Sequence, residues 1–184
     1  MAHVRGDEVG EIVAAWQRER PDDDVSSIRV VTPIWRLAAA LQSARGAALA
    51  AFDLDQSRLD VLGTLRRAGT PYRLTAGELT RRCRVTPGAT TQRVQRLERD
   101  GFVERLRDEH DRRTVYVTLT PGGSAKLDAV FAAVMAADEK VLVPLSRRDR
   151  SSLERILGGW LRDAGLDTTT PAGPPSGPVA ALGT

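Results

Sequence analysis

Cysteine and histidine are nearly absent from this chain of 184 residues. Cys83 is the single cysteine, so a disulfide within one chain and a cysteine-rich zinc site are excluded. His3 and His110 are the only histidines, which leaves almost no basis for a histidine-based catalytic or metal cluster. A glycine-rich phosphate loop and a nucleophile elbow are also missing. The sequence therefore predicts no cofactor, no metal site and no enzymatic activity.

The chain also lacks a long apolar segment. No uncharged apolar run approaches the roughly 20 residues that are needed to cross a bilayer. The N-terminal residues lack the apolar stretch of a secretory signal. We therefore expect a cytoplasmic protein that does not bind a membrane.

Lysine is scarce as well, since it occurs only at Lys126 and Lys140. The basic groups are therefore almost all guanidinium groups, which suit paired hydrogen bonds to phosphate and guanine. The formal net charge is +3, and residues 71–120 carry eleven arginines against seven acidic residues. This segment supplies more than the excess of the whole chain, and a basic middle between near-neutral flanks predicts a polyanionic partner.

Apolar spacing and composition divide the chain into four parts. The first is predicted to hold an extra helix at 7–19 and a longer helix at 27–52, whose apolar stripe needs a partner surface. The third is predicted to hold two amphipathic helices, and the last, rich in proline, glycine and threonine, is predicted to be disordered. The four parts are residues 1–54, 55–120, 121–164 and 165–184.

Start and stop signals within the second part predict a helix-turn-helix. Residues 75–78 form a capping-box pattern, and Thr86-Pro87 opens a second helix that Gly101 ends. After it, β-branched and aromatic residues on both sides of a charged turn within 102–119 predict a β-hairpin. The fold class is therefore mainly α with a small β-hairpin wing, in the arrangement of a winged helix-turn-helix.

The second helix of this motif has two chemically different faces. At 100° per residue, Thr90, Val94 and Leu97 share one face, which predicts contact with a core. On the opposite face glutamine can pair with adenine, arginine with guanine or phosphate, and glycine permits close backbone approach. The alternative, a merely solvated face, is disfavoured by the adjoining hairpin. The DNA-binding residues predicted on this helix are Thr86, Gly88, Thr91, Gln92, Gln95, Arg96 and Arg99.

The turn of the hairpin carries a second group of candidate DNA contacts. Asp111 is expected to orient Arg113, whose guanidinium would enter the negative potential of a narrow minor groove. Arg112 is expected to bind a phosphate. Surface ion pairs worth about 0 to 1 kcal/mol are the alternative, but they do not explain so many arginines at one tip.

These residues together resemble the MarR family of transcriptional regulators. The segments that carry the resemblance are Leu74–Leu79, Val85–Arg105, Asp111–Arg113 and Val117–Pro121, and it covers about residues 31–164. The resemblance implies a homodimer whose helices from both termini interlock in a dimerisation region. It further implies that two winged lobes bind successive major grooves of a palindromic operator in double-stranded DNA.

A finer resemblance, to the urate-responsive, PecS-like branch of that family, implies a ligand. It is carried by the N-terminal helix, by residues 59–69 and by residues 71–74. The branch binds urate or a related small anion through a tryptophan, an aspartate and two arginines, and the matching positions are Trp16, Asp60, Arg93 and Arg105. An anion that draws the arginines inward is expected to displace the recognition helices and relieve repression. A core role for the tryptophan and an ordinary ion pair for the aspartate are the alternatives.

Other functions stay open from the sequence. A redox sensor of the same fold would act through Cys83 if its neighbours Arg81, Arg82 and Arg84 lowered the pKa of the thiol. A lone cysteine is, however, more often a buried apolar residue. An enzyme with serine or carboxylate chemistry is not excluded by counting residues, and a nucleoid protein would bind DNA without preference for one operator.

Overall fold

The computed structural model describes residues 7–108, 111 and 114–166. The fold is mainly α with a small antiparallel sheet, as the sequence predicts. The chain divides into two compact units, residues 1–44 and 45–184, and each is described by itself. Most of the segment predicted to be disordered lies outside the described residues, and the four-part division stays a prediction.

The first unit contains α1, Glu8–Glu19, and the beginning of α2, Ile28–Ala50. Asp7 is the N-cap of α1, because its carboxylate accepts a hydrogen bond from the amide of Gly10 at 2.9 Å. Both helices end within two residues of the bounds that the apolar spacing indicates. Helix ends commonly differ by this much, because terminal turns lack part of their backbone hydrogen bonds.

The second unit contains the end of α2 and the remaining described elements. Their bounds are α3 Gln56–Arg67, β1 Arg73–Thr75, α4 Ala76–Cys83, α5 Pro87–Arg99, β2 Val103–Arg107, β3 Val115–Leu119, α6 Pro121–Leu142 and α7 Arg147–Asp163. A side-chain oxygen accepts a backbone amide hydrogen bond at the start of each of these five helices. The capping residues are Asp55, Thr75, Thr86, Thr120 and Ser146.

The three strands form an antiparallel sheet in the order β1-β3-β2. β2 and β3 form the predicted hairpin, with Arg105 opposite Val117. β1 was not predicted, and it pairs with the other side of β3, with Leu74 opposite Val117. A strand of three residues is too short to show an alternating pattern, and its partner lies far along the chain.

The core of the second unit is made of aliphatic side chains from α3, α4, α5, the sheet and α6. Leu62, Leu65, Leu79, Leu97 and Val130 are completely buried there. Burial of one such side chain stabilises the fold by about 1.5 to 3 kcal/mol. These contacts fix α5 by one face against α3 and α4, so that its other face is presented to solvent.

Candidate DNA-binding surface and anion site

The helix-turn-helix of α4 and α5 is built by local capping. The Thr75 hydroxyl accepts from the amide of Glu78 at 3.2 Å, and the Glu78 carboxylate accepts from the amide of Thr75 at 2.8 Å. This is the capping box that the sequence predicts, and its hydrogen bonds lower the pKa of Glu78. α4 ends at Arg84 in the left-handed region, and Thr86 caps α5 two residues later. A tight turn therefore joins the two helices.

One face of α5 is held in the core, as predicted. Thr90, Val94 and Leu97 are all buried, and Leu97 is completely so. The Thr90 hydroxyl lies 2.9 Å from the hydroxyl of Thr80 on α4 and donates to the backbone carbonyl of Thr86 at 3.2 Å. The buried threonine thus has its hydrogen bonds satisfied while it joins α5 to α4.

The opposite face of α5 is exposed along its whole length. Two of its hydroxyls bind the helix itself: Thr86 Oγ1 accepts from the amide of Ala89, and Thr91 Oγ1 donates to the carbonyl of Pro87 at 3.0 Å. The structure leaves all seven side-chain positions predicted to bind DNA open to solvent: Thr86, Gly88, Thr91, Gln92, Gln95, Arg96 and Arg99. In the part of the chain that the structure describes, the side chains of these two glutamines and two arginines make no hydrogen bond to the protein.

The charge of the segment from Leu79 to Leu97 has one sign. Residues 79–97 contain five arginines and no acidic residue. The surface around α5 therefore carries a positive potential that internal ion pairs within this segment do not cancel. Such a surface attracts a polyanion, and the interspersed glutamines add groups that recognise bases.

The wing is described up to its tip. The amide of Asp108 donates to the carbonyl of Thr114 at 3.0 Å, and the Thr114 hydroxyl donates to the Asp111 carboxylate at 2.9 Å. Asp111 is thus held in the turn that joins β2 to β3. Arg112 and Arg113, the predicted contacts to phosphate and minor groove, lie outside the described residues, so the orienting role of Asp111 stays a prediction.

A polar cluster around Asp60 on α3 forms the candidate anion site. Asp60 accepts a hydrogen bond from Gln56 Nε2 at 2.8 Å. Burial raises the pKa of Asp60, although the guanidinium groups of Arg93, Arg67 and Arg45 attract its negative charge. The attraction of the three arginines therefore does not fully offset the cost of burying the negative charge of Asp60. These arginines give the surroundings of the carboxylate a positive charge.

The structure thus brings together two of the four predicted ligand residues, Asp60 and Arg93, in electrostatic contact. Arg105 on β2 forms an ion pair with Glu98 at 3.4 Å. Trp16 belongs to the first unit, where its side chain is 51% exposed. The full set of four residues stays a prediction.

Two further arginines in this cluster were not predicted. Arg67 donates to the hydroxyl of Thr64 at 3.2 Å, and Arg45 forms a bidentate pair with Asp138 at 2.6 and 2.5 Å. The hydrogen bonds to Asp138 raise the pKa of Arg45, and Asp60 adds to this effect. Arg67 had a detectable signal, because steps of four and three place Gln56, Asp60, Thr64 and Arg67 on one face of α3.

Cys83 lies at the edge of the same cluster, at the end of α4. Its thiol donates to the Thr64 hydroxyl at 3.5 Å and lies 4.0 Å from the backbone carbonyl oxygen of Asp60. Burial raises the pKa of the thiol and outweighs the attraction to Arg93 and Arg67. Activation of Cys83 by neighbouring arginines, the condition on which the redox alternative depends, is therefore not favoured, because burial dominates.

Residues 7–108, 111 and 114–166 contain neither a cluster suited to a metal ion nor a helix that could span a membrane. No group of three or more histidine, cysteine, aspartate or glutamate side chains is arranged to hold a metal ion there. None of the described helices has the length and apolar character required to span a bilayer.

Together, the capped helix pair, the exposed polar face of α5 and the antiparallel hairpin define a winged helix-turn-helix protein. Residues 52–114 match the sequence model of the MarR family. The HTH-type transcriptional regulator PecS of Dickeya dadantii (strain 3937) is 31% identical over 151 residues, which cover 82% of this chain and 91% of PecS. The chain therefore belongs to the MarR family and is a DNA-binding transcriptional regulator.

Solved structures agree with this assignment. A cysteine-to-serine mutant of MarR from E. coli, complexed with operator DNA, has a TM-score of 0.63 and 26% identity, and the match covers 76% of this chain and 99% of that one. The Mycobacterium tuberculosis MarR family protein Rv2887, in complex with DNA, has a TM-score of 0.59 and 27% identity, with coverage of 71% and 96%.

Proposed function

We propose that this chain is a repressor that binds a palindromic operator as a homodimer and is released by a small anion. The observation that carries the proposal is the exposed face of α5, which presents glutamines and arginines to solvent and lies largely within residues 79–97, a segment with five arginines and no acidic residue. The operator DNA in the MarR structure and the DNA in the Rv2887 structure support this mode of action. Rv2887 is also described as a transcriptional repressor.

In this proposal α5 lies in the major groove. An α-helix of about 10 to 12 Å diameter fits the groove, which is about 12 Å wide. Gln92 and Gln95 would pair with adenine, and Arg96 with guanine or a phosphate. Gly88 has open space where a Cβ would be, so the backbone at this position can approach the DNA closely.

The wing would bind the adjacent minor groove. β2 and β3 pair with each other along their whole length, so they project the turn as one ribbon. Arg113 would enter the minor groove and Arg112 would bind a phosphate, with Asp111 orienting Arg113. Loss of Arg113 is then expected to weaken DNA binding by about 1 to 3 kcal/mol.

The apolar faces of α6 and α7 support a homodimer. Within the described residues, α7 has no buried side chain, and α6 leaves Phe131 and Met135 exposed. Contiguous apolar surfaces of this kind mark interfaces. Two identical subunits would place two copies of α5 about 34 Å apart, one turn of DNA, which a palindromic operator requires.

The anion site would use the cluster around Asp60. Guanidinium groups bind planar oxyanions such as urate through paired hydrogen bonds, and Arg93 supplies one such group. Arg105 and Trp16 complete the predicted set, the latter by stacking on the ligand or by donating its indole N–H. Arg67 and Arg45 add positive charge beside the same carboxylate.

Release would follow from competition for Arg93. Arg93 belongs to α5, and its attraction to Asp60 on α3 helps hold the recognition helix against the neighbouring helix. An anion bound to Arg93 would replace this attraction and repel Asp60. α5 would then shift, and the two helices would no longer match successive grooves.

A footprinting experiment tests the DNA-binding part. Duplexes from the region around the protein's own gene are incubated with the purified protein, in parallel with a random duplex of equal length. We expect protection of a palindromic site and binding to it that is at least about a thousandfold tighter than to random sequence. Equal affinity for both duplexes would favour a nucleoid protein instead.

A titration tests the anion part. Urate, xanthine, aconitate and citrate are added to the operator complex of the wild type and of the Arg93→Ala, Asp60→Ala and Arg105→Ala variants. Arg148→Ala, which removes an exposed arginine of α7, is the control. We expect one anion to dissociate the wild-type and control complexes but not those of the site variants. If no anion acts, or if the variants respond like the wild type, the anion site is wrong.

A further inference from the structure

Arg84 occupies a backbone position that favours glycine. It is the C-cap of α4, with φ 53° and ψ 45°, in the left-handed region. A Cβ atom crowds the backbone there, and helices that end in this conformation commonly use glycine. The backbone conformation therefore gives no reason to prefer arginine over glycine at this position, and the role of the side chain becomes the question.

The side chain of Arg84 has no partner in the described part of the chain. It is exposed and makes no ion pair or side-chain hydrogen bond there. The residue stands on the turn that joins α4 to α5, two positions before the N-cap Thr86. It lies within residues 79–97, the segment that contains five arginines and no acidic residue. Its guanidinium is thus available beside the beginning of the helix that carries the exposed polar face.

We propose that Arg84 binds a DNA backbone phosphate where α5 enters the major groove. This inference rests on the proposed function, which supplies the DNA. Phosphates border the groove, so the turn before an inserted helix lies beside them. A guanidinium offers two parallel N–H donors to phosphate oxygens, whereas glycine offers none. The contact carries no base sequence information, but it fixes the position of α5 in the groove.

Substitution by glycine separates the role in the fold from the role in binding. Arg84→Gly relieves the backbone strain, so we expect its Tm to equal or exceed that of the wild type. The proposed homodimer carries two copies of Arg84, so the affinity of the variant for the operator should fall at least about tenfold at 0.1 M salt, and the slope of log K against log salt should decrease by about two. Arg84→Lys retains the charge and should recover most of both losses.

Two comparisons complete the experiment. A random duplex should lose the same factor in affinity as the operator, because a phosphate contact is independent of sequence. Arg148→Ala removes an exposed arginine that also has no ion pair in the described residues, and it should bind like the wild type. If this control loses as much affinity as Arg84→Gly, the loss is caused by the lower net charge and not by a specific contact, and the proposal is overturned.

Three further results would count against this role. Unchanged affinity and salt slope in Arg84→Gly would remove the phosphate contact. A loss confined to the operator would indicate a base contact, and a lower Tm would assign the residue to the fold. If the wild type binds no duplex at all, the proposed function itself has failed. The wild type alone gives this result, so it is distinct from a failure of the Arg84 contact.

Discussion

Asp60 is the side chain of the second unit on which burial and several charged neighbours act together. It is partly buried on α3, it accepts a hydrogen bond from Gln56, and three guanidinium groups attract it. Burial nevertheless prevails and raises its pKa. A carboxylate in this setting destabilises the fold when it is charged, and such perturbed groups are typical of binding sites. The raised pKa of Asp60 therefore agrees with the role in an anion site that we propose for it.

The stability of the protein should depend on the protonation of Asp60. Its folded pKa is raised above the ordinary value of 3.8, so the native state holds the proton more tightly than the unfolded chain. The stabilisation from the bound proton is complete below 3.8 and is lost as the pH rises through the folded pKa. Asp60→Asn imitates the protonated form, and we expect it to be more stable than the wild type at pH 7.

Urea unfolding of both proteins at pH 4 to 8 measures this effect, and the difference between them should grow with pH. Asp128→Asn is the control, because it removes a carboxylate whose side chain is 63% exposed in its ion pair with Arg66. That change should cost no more than about 1 kcal/mol. A wild type as stable as Asp60→Asn at neutral pH would contradict the raised pKa.

Cys83 should be chemically inert in the folded protein. Burial raises the pKa of its thiol, and only the thiolate is a good nucleophile. We expect a thiol reagent to modify the native protein at least about tenfold more slowly than the urea-unfolded chain. Mild peroxide should leave operator binding unchanged in both the wild type and Cys83→Ser. Peroxide sensitivity that disappears in the variant would restore the redox alternative.

Residue-scale prediction from the sequence succeeded where chemistry is local. The exposed and buried faces of α5 follow from helical periodicity, and the structure has both. The electrostatic attraction between Asp60 and Arg93 was implied mainly by the family resemblance. Arg45 was missed because tertiary packing brings it from α2 into this cluster. For Cys83 the sequence favoured a buried apolar residue over an activated thiol, and the structure agrees, because burial raises the pKa of the thiol.

At the scale of elements, side-chain capping and glycine determine where the helices lie. Capping residues that satisfy backbone amides predicted the starts of α4 and α5 from sequence alone. β1 had no such local signal, because three residues gain their structure only by pairing with β3. The sequence thus predicts the helices, which are determined by neighbouring residues. It misses β1, which forms only by pairing with a strand far along the chain.

The beginning of α6 depends on a close approach that only glycine permits. A Cβ at Gly123 would lie 2.0 Å from the carbonyl oxygen of Phe102, whereas a Cβ at Gly122 would meet nothing closer than 3.7 Å. We expect Gly123→Ala to destabilise the protein by about 1 to 3 kcal/mol or more, because α6 must move away from the hairpin.

The neighbouring Gly122→Ala is the matched control for this prediction. It should be neutral or stabilise the helix by up to about 1 kcal/mol, because alanine is the better helix former. Urea unfolding of the two variants beside the wild type gives both values. Equal stability of the two variants would show that the contact between α6 and Phe102 is not tight.

At the scale of the whole molecule, the apolar surface exceeds what one subunit covers. α7 presents a stripe with the spacing of one helical face, which comprises Leu153, Ile156, Leu157, Trp160 and Leu161. All five are more than a third exposed, and Trp160 is 50% exposed. Water contact with this stripe is unfavourable, at about 25 cal/mol per Å² of apolar area. In the homodimer that we propose, a second subunit would cover the stripe, remove this cost and supply the second α5 for a palindromic operator.

The double variant Ile156→Glu with Trp160→Glu tests this link between assembly and operator binding. Two carboxylates in the stripe would be buried without partners in a dimer, so we expect the variant to sediment as a monomer of 20.0 kDa. Its operator affinity should fall at least about 100-fold, since one lobe reaches one half-site only.

The helical circular dichroism of the double variant should persist, because α7 contributes no buried residue to the core of the described chain. Ser151→Glu adds a carboxylate outside the stripe and should remain dimeric and bind normally. If the double variant stays dimeric, the stripe is not the dimer interface. If it is a monomer with wild-type operator affinity, DNA binding does not depend on the dimer.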